Sequence, residues 1–265
     1  MRVEEVTITV PVGPGGDPSG AALVTLVEKR LSTRERGVPE AAARLRREIE
    51  LLLLLRGHVT PHVVDHGEDE RGPWVRLERI VFPTVAGRLA SAAGGILSAE
   101  WIERAARGAF TALAEIHEAS DDRGPLAIVH ADFSPANVAV DDEGARVVLL
   151  DFELASWRDA PARDGAFRGT VGYCAPEIAR GEPPRPTSDV FSLAATFLHA
   201  AIGRPPRDGP SLAAVLATAA EQPVTAAADV DAIAARGPAH AAIVRCLAHD
   251  PRDRPDTARA VLALL

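Results

Sequence analysis

Lysine is almost absent from this chain: Lys29 is the only one among 29 basic residues. Asparagine and tyrosine are as rare, with Asn137 and Tyr173 the sole examples. All three types have A/T-rich codons, which a GC-rich gene tends to lose. The positions where they persist therefore mark places where Arg, Asp or Phe would not serve. Cysteine is scarce too. Cys174 and Cys246, far apart, make neither a disulfide framework nor a zinc site, and point to a reducing cytoplasm. Long apolar runs are missing: Leu51 to Leu55 is far too short to span a bilayer. Met1 to Val12 alternates as a strand does, so no secretory leader is expected. Excess positive charge is also lacking. The formal net charge of -8 argues against nucleic acid or an anionic membrane as main partner. What is present, 47% hydrophobic and 25% charged over 265 residues, suits a globular chain with a sizeable core.

Alternating Val, Ile, Thr and Leu predict strands over 3–12 and 21–31, with the turn-forming glycines of 13–20 between them. Pro39 starts a predicted helix over 39–56, where Ala43, Arg47 and Leu51 recur at helical spacing. Val63-Val64 and Trp74 to Val81 predict two further strands. From Ser98 the pattern turns helical. Ser98 suits an N-cap, and Trp101, Ala105, Ala109, Leu113 and Ile116 form an apolar stripe. Short strands are expected at Val138 to Val140 and Val147 to Leu150, and helices over 188–202, 211–220, 239–249 and 256–265. Residues 152–188 hold no long periodic run. The expectation is an α+β chain: a small strand-rich lobe with one helix over about 1–82, then a larger helical lobe over about 83–265. No internal repeat is visible, and Gly181 to Pro186 is a loop too short to link separate domains.

His130-Ala131-Asp132-Phe133-Ser134-Pro135-Ala136-Asn137 forms a turn ahead of a short strand. Fourteen residues after Asn137, Asp151-Phe152-Glu153 closes the next strand. Phosphoryl transfer needs magnesium on the phosphate oxygens, and hard oxygen ligands hold magnesium. In this spacing the chain resembles the protein kinase family, whose catalytic loop reads His-Arg-Asp with Asn five residues on, then Asp-Phe-Gly. The resemblance implies Asn137 and Asp151 as magnesium ligands. It implies Asp132 as the group that orients the acceptor hydroxyl and takes its proton. Gly169 to Glu177, ending in Ala175-Pro176-Glu177, resembles the segment that closes the kinase activation region. Asp189 to Leu193 resembles the start of the family's central buried helix, and Arg254 matches the arginine that pairs with Glu177. Upstream, Leu26-Val27-Glu28-Lys29 is similar to the strand that carries the ATP-binding lysine. Lys29 would grip the α- and β-phosphates and pair with Glu48 on the following helix. Trp74 to Ile80 resembles the strand beside adenine, with Leu77 as gatekeeper and the Glu78 carbonyl and Ile80 N–H facing the base. The only lysine, asparagine and tyrosine thus all fall on motifs. The resemblance spans residues 21 to 265. It implies a bilobal kinase-like fold, ATP and magnesium as cofactors, and a protein or peptide substrate.

Four departures stand out. The glycines of 13–20 lie too close to Lys29 for a Gly-x-Gly-x-x-Gly loop, so they read as a hairpin tip, with the phosphate-covering loop missing or rebuilt. Ser134 replaces the catalytic-loop lysine. Ala131 replaces the arginine that would receive an activation-loop phosphate. Glu153 replaces the last glycine of Asp-Phe-Gly. The Asp132-x-Ser134-Pro135-x-Asn137 form is similar to that of antibiotic phosphotransferases and some bacterial protein kinases. With Asp151-Phe152-Glu153 it also resembles the kinase domain of some lanthipeptide synthetases.

The expected function is that of a bacterial-type serine/threonine protein kinase domain, moving the γ-phosphate of MgATP to a hydroxyl. One alternative is a pseudokinase scaffold, favoured by the reduced loop and Ser134. The other is a small-molecule hydroxyl phosphotransferase, favoured by Ser134 and opposed by the peptide-docking segment Gly169 to Glu177. His58, His62 and His66 recur every four residues, but Pro61 and the Val63-Val64 strand prevent the helix that would align them as metal ligands.

Overall fold

The computed structural model describes residues 1–11, 21–160, 167–224 and 227–265. The chain divides into two compact units, Met1–Val81 and Phe82–Leu265. Both helices and antiparallel sheets are present, so the class is α+β.

In the first unit, β1 (Arg2–Pro11), β2 (Ala21–Arg30), β3 (Val63–Asp69) and β4 (Gly72–Glu78) form one antiparallel sheet in the order β1-β2-β4-β3. β1 and β2 pair from Arg2↔Arg30 to Pro11↔Ala21. The glycines read as a hairpin tip, 13–20, lie outside the described residues. On β4, Pro73, Val75 and Leu77 are buried and their neighbours half-buried, the period of two that a one-sided sheet requires. The expected strand to Val81 stops at Glu78. β3 begins at Val63 opposite Leu77, and β2 pairing ends at Leu26↔Glu78, so the ladder has no continuation there. Helix α1 (Pro39–Leu55) packs on β3 and β4. Pro39 occupies the first turn, where its missing N–H costs nothing. The buried stripe of α1 runs through Ala41, Leu45, Glu48, Ile49 and Leu52, so Glu48 is a carboxylate on an otherwise apolar face.

The second unit contains α2 (Val85–Ser91), α3 (Ala99–His117), the two-residue strands β5 (Ser120–Asp121) and β6 (Gly124–Pro125), and the antiparallel pair β7 (Val138–Val140) and β8 (Val147–Leu149). Then follow α4 (Pro176–Ala179), α5 (Pro186–Ile202), α6 (Leu212–Glu221), α7 (Ala227–Ala234), α8 (Pro238–Cys246) and α9 (Ala258–Leu262). Ser98 caps α3 as expected, its hydroxyl accepting from the Trp101 N–H at 3.3 Å. α5 is buried around most of its circumference and touches α2, α3 and α8, which places it inside the core. It starts at Pro186 rather than 188, because proline is tolerated in a first turn. The sequence pattern does not predict helices α2, α4 and α7. Each is too short for the 11- to 18-residue window over which helical periodicity shows. Among the described residues no helix is long and apolar enough to cross a membrane. Both cysteines are free and buried, and burial pushes their thiols up to about 11 for Cys174 and about 12 for Cys246.

Candidate active site

In the first unit, Lys29 on β2 meets Glu48 on α1. The Lys29 Nζ lies 2.8 Å from Oε1 and 2.7 Å from Oε2 of Glu48. The two side chains are only 8% and 2% exposed. Taking both charges out of water is expensive, so such a pair is a weak reason for stability and a stronger reason to suspect a function. The other candidate residues of this unit lie on or just after β4, the strand that pairs with β2. Leu77 is buried on β4. Glu78 ends that strand and donates its N–H to the His62 carbonyl at 2.8 Å. Ile80 follows two residues later, half-buried. His66 lies on β3 beyond the end of α1, off any common helix with His58 and His62. Among the described residues no group of three or more His, Cys, Asp or Glu is placed to hold a metal ion.

In the second unit the loop before β7 is held from below by Asp189 on α5. The fully buried Asp189 carboxylate accepts the His130 N–H at 2.7 Å and the Ala131 N–H at 2.8 Å, and lies 3.0 Å from Nε2 of His117. Aiming two successive amides at one carboxylate turns Ala131 to φ +66°, a left-handed conformation that alanine rarely adopts. The His130 Nδ1 accepts from the Asp132 N–H at 3.3 Å, which leaves Nε2–H to donate to the Leu150 carbonyl at 3.0 Å. The imidazole stacks on Phe133 at 4.1 Å and meets Phe152 edge-on at 4.6 Å. One buried ring thus ties the Asp132 loop to the run that begins at Asp151.

The structure brings Asp132 and Asn137 together. Asn137 Nδ2 donates to the Asp132 carbonyl at 2.8 Å, and its own carbonyl accepts from the Leu150 N–H at 2.9 Å. Asp132 Oδ1 accepts the Thr170 N–H at 2.8 Å. That approach needs Gly169, whose φ is +114° and where an added Cβ would sit 3.0 Å from Asp132 Oδ1. Burial raises the Asp132 carboxyl above its usual value, with the Asp151 charge adding to the rise and the Thr170 amide and His130 opposing it. Asp151 is exposed, at φ +62°. Ser134 is buried and uncharged, so it brings no cation to this loop.

Beyond Thr170 the chain is fixed by its far end. Arg254 grips Glu177 with two bonds, Nη1–Oε1 at 2.8 Å and Nη2–Oε2 at 2.9 Å, and Ser188 Oγ donates to the same Oε1 at 2.7 Å. Burial alone would raise the Glu177 carboxyl, but the Arg254 guanidinium and Ser188 hold it below its usual value. Tyr173 lies with its hydroxyl 2.6 Å from His199 Nδ1. Sequence reasoning missed the anchoring roles of Asp189, His117 and Thr170. For Asp189 a signal existed, a lone acid opening the apolar run Val190-Phe191-Ser192-Leu193.

Residues 24–263 match the family model described as "Protein kinase domain". The chain is 31% identical over 206 residues to "Probable serine/threonine-protein kinase PkwA" of Thermomonospora curvata, covering 77% of this chain and 25% of that protein. It is 30% identical over 184 residues to "Probable serine/threonine-protein kinase PknB" of Bifidobacterium longum (strain NCC 2705), covering 65% and 26%. It is 35% identical over 136 residues to "Serine/threonine-protein kinase PkaA" of Streptomyces coelicolor (strain ATCC BAA-471 / A3(2) / M145), covering 48% and 23%. The chain spans about a quarter of the length of these relatives.

Proposed function

Because the chain belongs to the protein kinase family, we propose that it is an ATP-dependent serine/threonine protein kinase. It transfers the γ-phosphate of MgATP to a hydroxyl of a protein or peptide in a reducing cytoplasm. The observation that carries this reading is the Asp132 loop. A partly desolvated carboxylate is held by one amide, with Asn137 locked to the same loop.

Asp132 orients the acceptor hydroxyl and takes its proton, and its raised carboxyl makes it a better base than a free aspartate. The residues fit magnesium. Asn137 spends its amide nitrogen on Asp132, so its oxygen is the group offered to a hard cation, and Asp151 adds an exposed carboxylate. When bound there, magnesium would neutralise phosphate charge. Lys29, oriented by Glu48, holds phosphate oxygens of the nucleotide. The Glu78 carbonyl and Ile80 N–H take the adenine edge. The segment Gly169 to Glu177, pinned by Arg254 and Asp132, docks the peptide.

The test is Asp132→Asn, assayed with labelled ATP and a panel of peptides and small hydroxyl compounds. The expected result is loss of transfer to peptides, with MgATP binding kept. Unchanged turnover would remove Asp132 from the chemistry. Transfer to small hydroxyl compounds alone would move the chain to small-molecule phosphotransfer.

A further inference from the structure

The run that follows Asp151 is fastened at both ends, and the mechanism above does not use the residues of its far fastening. At the near end, Leu150 N–H donates to the Asn137 carbonyl at 2.9 Å and Phe152 is buried. At the far end, Ser156 and Val129 exchange two backbone hydrogen bonds of 2.8 Å each, and Arg158 N–H donates to the Leu126 carbonyl at 2.7 Å. Trp157 between them is buried.

The Arg158 side chain then folds back over the same strip. Its Nη1 donates to the carbonyls of Gly124 at 3.0 Å and Pro125 at 2.9 Å, and its Nη2 to Asp121 Oδ2 at 2.5 Å. Asp121 is held in place by the Arg123 N–H at 2.9 Å, and Arg123 also pairs with Asp159. The Arg158 guanidinium keeps the Asp121 carboxyl below its usual value, and Asp121 in turn holds Arg158 above its own. The two terminal nitrogens of one planar fork thus make three hydrogen bonds, to three acceptors that lie on a single turn. A lysine has no such fork.

We propose that Arg158 is a positioning residue. By clamping 156–158 onto 121–129, it holds the run from Asp151 in place and so sets the Asp151 carboxylate for its metal, without any covalent modification of the chain. The assignment of Asp151 rests on the function proposed above; the clamp itself does not. Ser156 lies under the clamp, with both of its backbone groups already paired to Val129.

The test uses the whole chain after phosphatase treatment. Hydrogen exchange at the Ser156 and Arg158 amides is read without nucleotide, so it does not depend on catalysis. Arg158→Ala should speed that exchange by roughly three- to tenfold and Asp121→Ala by less, and the double variant should be no faster than Arg158→Ala alone. Arg158→Lys should recover only part of the protection. In turnover on a mixed serine/threonine peptide library, Arg158→Ala should raise the magnesium concentration needed for half-maximal rate, a readout that a general loss of stability would not move. Exchange that is the same in wild type and Arg158→Ala overturns the clamp, whether or not the chain is an active kinase. Loss of wild-type turnover on phosphatase treatment overturns the claim that no modification is needed. Faster exchange in the variants with a catalytically silent wild type keeps the clamp and removes the kinase reading instead.

Discussion

The chain's only lysine, Lys29, contacts both carboxylate oxygens of Glu48, at 2.8 and 2.7 Å, in a pair almost closed to solvent. Such a contact leaves little room for a larger, planar group. MgATP binding by Lys29→Ala should weaken by about 1.5–3 kcal/mol, roughly ten- to a hundredfold, because a charge-assisted contact is lost. Lys29→Arg should also bind worse than wild type, since a guanidinium cannot replace a compact ammonium at this distance. Titration calorimetry on the three proteins decides it; identical affinities would make Lys29 irrelevant to the nucleotide.

Asn137 and Asp151 are expected to act through a divalent cation. Asn137→Ala and Asp151→Ala should each weaken nucleotide binding measured in magnesium and change it little in EDTA. Equal ATP affinity of the wild type in EDTA and in magnesium would count against both assignments.

Asp132 should leave its mark on the pH profile. Its carboxyl is raised by burial above the usual 3.8. The base works deprotonated, so turnover should fall on the acid side earlier than an unperturbed aspartate would dictate. Whatever residual turnover Asp132→Asn retains should lack this limb. A limb at or below the usual aspartate range would contradict the burial argument.

The Arg254–Glu177 pair should behave as a structural tie. Arg254→Ala leaves a buried carboxylate with only Ser188 and should cost about 3–5 kcal/mol of stability, read as a lower denaturation midpoint. The folded Glu177 carboxyl lies below its usual 4.5, so its contribution is fully present above that value. It is lost as pH falls through the lowered one. In Glu177→Gln this part of the acid sensitivity should vanish.

Phosphorylation of the loop between Asp151 and Gly169 should not activate the chain. Ala131 offers no guanidinium for a phosphate, and Ser156 is the one serine or threonine in that stretch. Ser156→Asp should leave the rate unchanged or lower it; a severalfold gain would contradict this.

Much of this protein could be read from its residues alone. Local rules carried the long elements. Alternation placed β1 and β2, the stripe from Trp101 to Ile116 placed α3, and Ser98 capped it where expected. Spacing in the chain also singled out Asp132, Asn137 and Asp151, because a turn between two short strands keeps such residues close in sequence. It put Lys29 and Glu48 on neighbouring elements, nineteen residues apart. What the sequence could not decide depends on contacts between distant segments, which leave no periodic trace. Asp189 reaches back to amides 58 and 59 residues earlier, Thr170 reaches Asp132 across 38 residues, and Arg158 folds onto a strip some 35 residues upstream. The left-handed turns at Ala131 and Asp151 arise only in the folded chain. Aspartate tolerates that conformation, but alanine does not ask for it. It is imposed at Ala131 by one buried carboxylate that needs two amides, and only the tertiary structure puts that carboxylate there.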